Sequence, residues 1–342
     1  MNTSLAELQQ LAYQALRQHG VTGAAATACA RVLVQADACG LETHGVSRIP
    51  MYCDMLIQGR IDPAAVPRLL GGSTGGATAL VDACGGLAYD ACDLAIDSLM
   101  DLADLQGVAF AGIRNSSHVG ALGLHLQPLA ARGLVGLAFS NAPAVMPFWG
   151  GRTPALGTNP VAAIFPRRNG NPLLIDLSMT TVARGHILLA AQRNEAIPEG
   201  WALDRNGHPT TDAKEALAGS LLPVGGAKGA MLALCFELLC SALTGSALSF
   251  QADAFFTPHG NAPLIGQAFI ALAPSRLAGE GVYHERVQTL LDHIAQDPEV
   301  RLPGARREAL RAQALIDGVQ VRDDLLAKLQ QLSRTPPVKG NP

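Results

Sequence analysis

The sequence predicts an α+β fold in which a body of β-strands is flanked by a helical layer built from both ends of the chain. Two patterns support this prediction. Helical apolar periodicity runs through the first 60 residues and returns after residue 282, whereas the clearest strand patterns lie between residues 78 and 274. Apolar residues make up 49% of the 342 residues and charged residues 15%, so core-forming material is plentiful.

Three helix starts can be predicted near the amino terminus. Ser4, followed three residues later by Glu7, has the spacing of a capping box and begins the first helix. Thr22 is the predicted N-cap of the second helix, and Thr43 that of the third. Pro50 lies inside the third helical pattern, where it either begins the regular part or kinks the helix.

Short apolar runs bounded by turn residues predict the strands of the body. The predicted strands are residues 78–83, 107–115, 134–141, 159–166, 172–178 and 267–274. Two apolar patterns of helical period, at residues 87–106 and 230–245, predict helices that pack with this body.

These patterns divide the chain into two predicted domains and a tail. Residues 1–72 together with 283–334 form a helical domain, and residues 73–282 form the sheet body in which we expect ligands to bind. Residues 335–342 are predicted to be a disordered tail.

Composition and motifs exclude several functions. The net charge is −3 and no Lys/Arg cluster is interleaved with aromatic residues, so we expect no nucleic-acid partner. No apolar stretch reaches about 18 residues, so we expect no membrane span. The seven cysteines lack C-x-x-C spacing and are expected to be reduced thiols in the cytoplasm. Neither a G-x-G-x-x-G nor a phosphate-loop motif occurs, and no set of residues has the spacing of a metal site.

The stretch Thr43-His44-Gly45 with Arg48 is the first candidate site. On a helix, His44 and Arg48 would project from one face. A histidine can give up a proton near neutral pH, and an arginine can hold a carboxylate in two parallel hydrogen bonds. The pair therefore suits reduction of a group next to a carboxylate. A surface or capping role for the same residues remains the alternative.

Other candidates follow predicted strands. His118 lies in a polar loop at a strand end, where α/β proteins place chemistry, although a polar turn would have the same composition. Thr158 lies in a tight turn. Asp176 follows a buried apolar run and needs a partner, which could be an imidazole that it orients or a backbone N–H that it caps.

Two turns could bind anions. The glycine-rich turn before Lys228 leads into an apolar helix, and a helix amino terminus favours negative charge. A flexible helix start with a solvated lysine is the alternative. The turn at residues 301–307 combines Pro-Gly with three arginines, which could grip a phosphate or form a basic surface.

Taken together, these stretches resemble one family along residues 5–332. The matching stretches are LETHGVSRIPMY, RNSSHVG, GTNPVAAIFP, LLIDLS, VARGHI, IPEGWALDRNGHPTTD, LLPVGGAKGAMLAL and RLPGARR. The chain resembles the malate/L-lactate dehydrogenase-like, non-Rossmann NAD(P)-dependent oxidoreductases, which include sulfolactate dehydrogenase and Δ1-piperideine-2-carboxylate reductase. The resemblance implies a largely antiparallel sheet domain, a homodimer, and an active site at a cleft between domains and subunits.

The resemblance also implies roles for the candidate residues. His44 would donate the proton, Asp176 would orient it, and Thr43 would belong to a hydroxyl relay. Arg48 would bind the substrate carboxylate, and His118 competes with His44 as the acid. Thr158 would contact the substrate. The implied cofactor-binding residues are His118, Val119, Gly120, Ala121, Leu122, Asp176, Leu177, Ser178, Lys228, Arg301, Gly304, Arg306 and Arg307.

The predicted function is hydride transfer between NADP or NAD and a small 2-oxo or 2-hydroxy acid of the malate, lactate or sulfolactate type. NADP is favoured by the nearer branches of the family. The alternative within the class is an NADPH-dependent reductase of cyclic 2-imino acids. The family usually has serine at Thr43 and often lysine at His186, and these departures motivate a second alternative, a relative that binds a nucleotide without turnover. A metal-dependent hydrolase or lyase is a third, although no metal ligand set supports it.

Overall fold

The computed structural model describes residues 2–70, 76–257 and 259–334. The predicted tail at 335–342 and most of the glycine-rich loop at 71–77 lie outside the described residues. The helices are α1 Leu5–Gln18, α2 Gly23–Ala38, α3 Ile49–Ile57, α4 Ala88–Gln106, α5 Gln127–Ala131, α6 Arg184–Arg193, α7 Ala213–Ala218, α8 Ala227–Glu237, α9 Glu280–Ile294, α10 Ala305–Asp317 and α11 Asp323–Arg334.

The first two helices begin where the sequence predicts. The Ser4 hydroxyl oxygen accepts a hydrogen bond from the Glu7 backbone N–H at 3.2 Å, and the Thr22 hydroxyl accepts from the Ala25 N–H at 3.3 Å. Each bond satisfies one of the backbone donors left free at a helix start. Both predicted N-caps are confirmed.

The third helix begins later than predicted, and the assignment of Thr43 as its N-cap is wrong. Two 3-10 turns, Glu42–His44 and Val46–Arg48, precede α3, and Pro50 lies in the first turn of α3, where a missing N–H costs nothing. The Asp37 carboxylate, nine residues earlier, accepts the Val46 N–H at 2.8 Å. The Asp37 carboxylate lies so close to Gly45 that a Cβ on Gly45 would overlap the carboxylate oxygens. A residue of α2 therefore shapes this turn.

The main sheet has seven strands in the order β2-β3-β4-β13-β5-β8-β9, and only the β3–β4 pair is parallel. These strands are β2 Arg68–Leu69, β3 Thr78–Asp82, β4 Val108–Ser116, β5 Val135–Ser140, β8 Val161–Phe165, β9 Leu173–Leu177 and β13 Ile265–Leu272. The predicted strands are confirmed to within two residues at each end. The fold is therefore α+β with a largely antiparallel sheet, as the sequence predicts.

Three small sheets complete the strands. They are β1 Asn2–Thr3 with β14 Val319–Gln320, β6 Met146–Pro147 with β7 Pro154–Leu156, and β10 Ala202–Leu203 between β11 Pro209–Thr210 and β12 Ser220–Leu221. The β1–β14 pair joins the two ends of the described chain. The three-stranded sheet packs with α6 and α7 around a separate small core that includes Ile187 and Ala202.

Two apolar cores hold the layers together. Helices from both ends of the chain bury Leu8, Leu33, Ile49 and Leu329 completely in the first core. In the second, α4 packs against β3 and β4 and buries residues such as Leu99 beside the sheet. Burying a leucine of this kind contributes about 1.5–3 kcal/mol. Within the described residues, no helix is both long enough and apolar enough to cross a membrane.

Candidate active site

The Thr43-His44-Arg48 turn lies between α2 and α3, and hydrogen bonds within the turn fix its side chains. The Thr43 hydroxyl oxygen lies 3.0 Å from His44 Nδ1. Arg48 Nε donates to the Thr43 carbonyl oxygen at 2.5 Å, and its guanidinium carbon lies 5.0 Å from the centre of the Phe256 ring. His44 and Arg48 lie in successive 3-10 turns rather than on one helix face, yet the carbonyl contact keeps them beside each other.

His118 packs against this turn. The His44 and His118 ring centres are 6.0 Å apart, with 23° between the ring planes. Tyr52, from α3, has its hydroxyl 2.6 Å from His118 Nδ1, and the Phe255 ring meets His118 edge-on at 5.2 Å. The structure therefore brings together the two histidines that the sequence offered as competing acids.

Burial and positive charge lower the proton affinity of both histidines. Burial lowers the pKa of His44 to about 4, with further contributions from the Arg48 and Arg307 guanidinium groups. Burial, Arg48 and His44 lower the pKa of His118 well below its usual value. Without an anionic ligand, both rings are therefore neutral near pH 7.

Asp176 lies in β9, between the His118 loop and the carboxyl-terminal arginines. One of its oxygens accepts the Gly123 backbone N–H at 3.0 Å, and Arg307 Nη1 lies 3.9 Å from the same oxygen. Burial raises the pKa of Asp176, while the Gly123 hydrogen bond and Arg307 oppose that rise. Within the described chain Asp176 contacts Gly123 and Arg307 rather than either histidine, so its predicted role in orienting His44 remains a prediction.

Buried hydrogen bonds fasten the Thr158 turn to α8. The Thr158 carbonyl oxygen accepts the Met179 N–H at 2.8 Å, which sets this turn beside the end of β9. Asn159 is fully buried, and its amide donates to Glu237 at 2.8 Å and to the Ala233 carbonyl at 3.0 Å. Glu237 is also buried and also accepts from Ser249. Sequence reasoning missed this glutamate, because it lies in an apolar helical pattern.

The remaining predicted residues lie around this centre. Val119, Gly120 and Ala121 are buried in the loop after His118, and Leu122 is buried at the start of the 3-10 helix that follows. Ser178 Oγ lies 2.6 Å from the Thr180 hydroxyl, Leu177 is exposed, and Lys228 is exposed in the first turn of α8. A Cβ placed on Gly185 would lie 3.6 Å from Thr43 Cγ2, so α6, which carries the exposed His186, begins beside Thr43.

An open cavity of about 830 Å³ lies between the end of α2 and residues 295–310. Arg301, Gly304, Arg306 and Arg307 line it. This volume lies within the range of ligand sites for small molecules and cofactors, and guanidinium groups suit phosphate oxygens. Arg307 also lies near Asp176 and lowers the pKa of His44, so the cavity adjoins the histidine pair. The residues present fit a nicotinamide dinucleotide. No group of His, Cys, Asp and Glu in the described ranges could hold a metal ion.

Comparison with known proteins identifies the family of the chain. Residues 3–330 match the family model described as malate/L-lactate dehydrogenase. A (2R)-3-sulfolactate dehydrogenase (NADP(+)) of Chromohalobacter salexigens is 44% identical, with 90% of this chain and 91% of that protein covered. A Δ1-pyrroline-2-carboxylate reductase of Pseudomonas fluorescens is 38% identical, with 96% and 98% covered. The crystal structure of Δ1-piperideine-2-carboxylate reductase from Pseudomonas syringae superposes with a TM-score of 0.91 at 34% identity, covering 97% of this chain and 99% of that one.

With these relatives, the largely antiparallel sheet assigns the chain to the non-Rossmann NAD(P)-dependent oxidoreductases. The chain belongs to the malate/L-lactate dehydrogenase family. It is an NAD(P)-dependent dehydrogenase or reductase, and the resemblance noted in the sequence is confirmed.

Proposed function

We propose that the protein uses NADP(H) to interconvert a small 2-oxo acid and its 2-hydroxy acid, with sulfolactate-type acids as the preferred class. The observation that carries the proposal is the Arg48 guanidinium held against the Thr43 carbonyl, next to the His44 ring. This arrangement puts a guanidinium group that can bind a carboxylate beside an imidazole that can donate a proton. The 44% identity to an enzyme whose name specifies sulfolactate and NADP(+) favours that substrate and that cofactor.

Arg48 would bind the substrate carboxylate and orient C2. Its Nε is already committed to the Thr43 carbonyl and its planar group packs on Phe256, so little side-chain freedom is lost when a carboxylate binds. Holding the reacting carbon at a fixed angle is an orientation effect, which can lower a barrier by several kcal/mol.

His44 would donate a proton to the C2 oxygen as charge develops there. With a pKa of about 4, only about one ring in a thousand carries the extra proton at pH 7. A substrate carboxylate on Arg48 offsets part of the positive field that lowers this pKa. Substrate binding would therefore oppose the part of this shift that Arg48 causes, while burial, the largest cause, would still lower the pKa of His44.

The cofactor would occupy the arginine-lined cavity, and bound nicotinamide supplies or accepts the hydride at C2. Arg301, Arg306 and Arg307 would hold its phosphates, and Gly304 lines the same cavity. The buried 119–122 loop, Asp176, Leu177, Ser178 and Lys228 would line the remainder. The Asp176–Arg307 contact supports a role for Asp176 at the border between cofactor and substrate, with Thr158 on the substrate side.

Reduction of a cyclic 2-imino acid is a second candidate function. The 38% identity to a pyrroline-2-carboxylate reductase and the TM-score of 0.91 to a piperideine-2-carboxylate reductase favour it. Arg48 would hold the same carboxylate, and the His44 proton would go to the ring nitrogen. The two candidates differ in the atom that receives the proton.

A substrate panel tests both candidates. Sulfopyruvate, oxaloacetate, pyruvate, and the pyrroline- and piperideine-2-carboxylates would each be assayed with NADPH and NADH by nicotinamide absorbance. We expect the highest kcat/KM with sulfopyruvate and NADPH. A higher kcat/KM with a cyclic imine would select the second candidate. Calorimetric binding of NADPH without turnover on any member would favour the nucleotide-binding relative instead.

We also infer a homodimer in the cytoplasm, built on the helical and sheet domains that the sequence predicts. The α8 helix and the segment after it, which begins with the π-helix Leu238–Ala242, expose Met231, Leu232, Leu238 and Leu243, and exposed apolar residues grouped in this way mark protein interfaces. Light scattering should give twice the chain mass. The double variant Met231→Glu with Leu238→Glu should lower the measured mass toward that of one chain, whereas Leu315→Glu, at an exposed position of α10, should leave the mass unchanged.

The seven free thiols support the cytoplasm, a reducing compartment, as the location.

A further inference from the structure

The Tyr52 hydroxyl and the His118 ring form a buried contact to which the proposed reaction assigns no task. His118 Nδ1 lies 2.6 Å from the Tyr52 oxygen and 3.4 Å from the Gly120 backbone nitrogen. A backbone N–H can only donate, so Nδ1 must present its lone pair. The Tyr52 hydroxyl then also donates to Nδ1, and the proton of the neutral ring lies on Nε2.

A second tyrosine supports this direction. The Tyr89 oxygen lies 2.8 Å from the Tyr52 oxygen, so Tyr89 can donate to Tyr52 while Tyr52 donates to His118. Both tyrosines are fully buried, which keeps water from competing for their hydroxyl groups. Burial raises the pKa of each, so both remain protonated donors. A Cβ on Gly120 would come within 2.7 Å of the Tyr89 oxygen, so the glycine is required for the chain of contacts to fit.

We infer that Tyr52, backed by Tyr89, is a positioning residue that holds His118 as the neutral Nε2–H tautomer. His118 then serves as a fixed hydrogen-bond donor to the substrate, while His44 transfers the proton. The inference rests on the proposed function for the identity of the substrate, but the assignment of the tautomer does not depend on it.

The chemistry separates the two histidine roles. If His118 gave up its Nε2 proton, the ring would need a replacement at Nδ1, and Tyr52 would become a buried tyrosinate. Burying such an uncompensated anion is strongly unfavourable. A neutral imidazole that donates a hydrogen bond to a developing oxyanion avoids this cost, as the neutral histidine of triosephosphate isomerase does. Among the described residues, His44 Nδ1 has its hydrogen bond with the Thr43 hydroxyl, so a change in the protonation state of His44 leaves no buried tyrosinate.

Nitrogen-15 NMR of the histidine rings tests the tautomer without turnover. The wild-type His118 signals should be those of a neutral ring protonated at Nε2, from pH 6 to 8. In Tyr52→Phe the ring should become a mixture of tautomers, and kcat should fall about tenfold, the usual effect of one lost hydrogen bond. KM for NADPH should stay unchanged. The control Tyr283→Phe removes a hydroxyl that donates to the Pro166 carbonyl, and it should change neither the His118 signals nor kcat.

Replacing His118 with an amide side chain gives a second test, which can be carried out even if the Tyr52→Phe variant does not fold. Glutamine can imitate the Nε2 donor but cannot release a proton, so His118→Gln should keep kcat within about tenfold of wild type. His118→Asn, whose amide reaches the Nδ1 position, should lose more. A wild-type spectrum with the proton on Nδ1, or a fall of about a thousandfold in both amide variants, would overturn the inference. The tautomer can be read even if every substrate in the panel fails.

Discussion

His44 and His118 have ring centres 6.0 Å apart, yet the molecule holds them in opposite ways. His44 lies in a single 3-10 turn, and its Nδ1 contacts the hydroxyl of the adjacent residue. His118 follows a sheet strand, and its Nδ1 contacts a tyrosine of α3 that is backed by a second tyrosine of α4. A ring held by one local hydroxyl can change its charge, whereas a ring tied to buried hydroxyl groups keeps one form. The difference separates a proton donor from a hydrogen-bond donor.

Removing the His44 imidazole should have the largest effect on turnover, because His44 is the proposed proton donor of the pair. We expect His44→Ala to lower kcat by about a hundredfold or more, the usual contribution of a positioned acid, while NADPH binds as in the wild type. Stopped-flow reduction and NADPH titration would measure the two effects. His208→Ala, which removes an exposed histidine beside Asp204, is the matched control. Near-normal turnover in His44→Ala would transfer the acid role to His118.

The second largest effect should come from replacing the Arg48 guanidinium, which would bind the substrate carboxylate. In Arg48→Lys, an ammonium group cannot keep the Thr43 contact and also bind a carboxylate in two parallel bonds. We expect KM for the 2-oxo acid to rise about tenfold to a hundredfold, the effect of one or two charge-assisted hydrogen bonds, with less change in kcat. Arg132→Lys, in an exposed ion pair with Asp104, is the control and should behave as wild type. An unchanged KM in Arg48→Lys would remove Arg48 from the site.

The dependence of kcat/KM on pH should sharpen the comparison. This ratio reports the free enzyme, in which the pKa of His44 is lowered to about 4. Reduction needs protonated His44, so its kcat/KM should rise about tenfold for each pH unit from 8 down to 5. Oxidation of the 2-hydroxy acid needs neutral His44, so its kcat/KM should stay constant over that range and fall only near pH 4. A reduction profile that is flat from pH 8 to 5 would contradict the assignment of the acid.

The sequence predicted the sheet well because each strand is a local apolar run that turn residues interrupt. It also proposed His44 and Arg48 as site residues, and the structure places them beside each other because they lie within one short stretch. It missed Tyr52 and Phe255, because nothing in a local pattern reveals that an α3 tyrosine and a distant phenylalanine meet the His118 ring. The cap predicted at Thr43 failed for the same reason. The Asp37 carboxylate takes the Val46 N–H, and no rule based on neighbouring residues includes an acceptor nine positions earlier.

The smallest effect on kcat should come from substitutions of Thr43. They test whether the Thr43 hydroxyl contributes to the position of the His44 ring. Thr43→Ser keeps the hydroxyl that lies 3.0 Å from His44 Nδ1, so kcat should change by less than about threefold. Thr43→Val keeps the shape and loses the hydroxyl, so kcat should fall about tenfold, the effect of one hydrogen bond. Since the Arg48 bond goes to the Thr43 carbonyl, KM for the acid should stay constant in both variants. If Val matched Ser, the hydroxyl would have no part in the reaction, and His44 would be held by packing and burial alone.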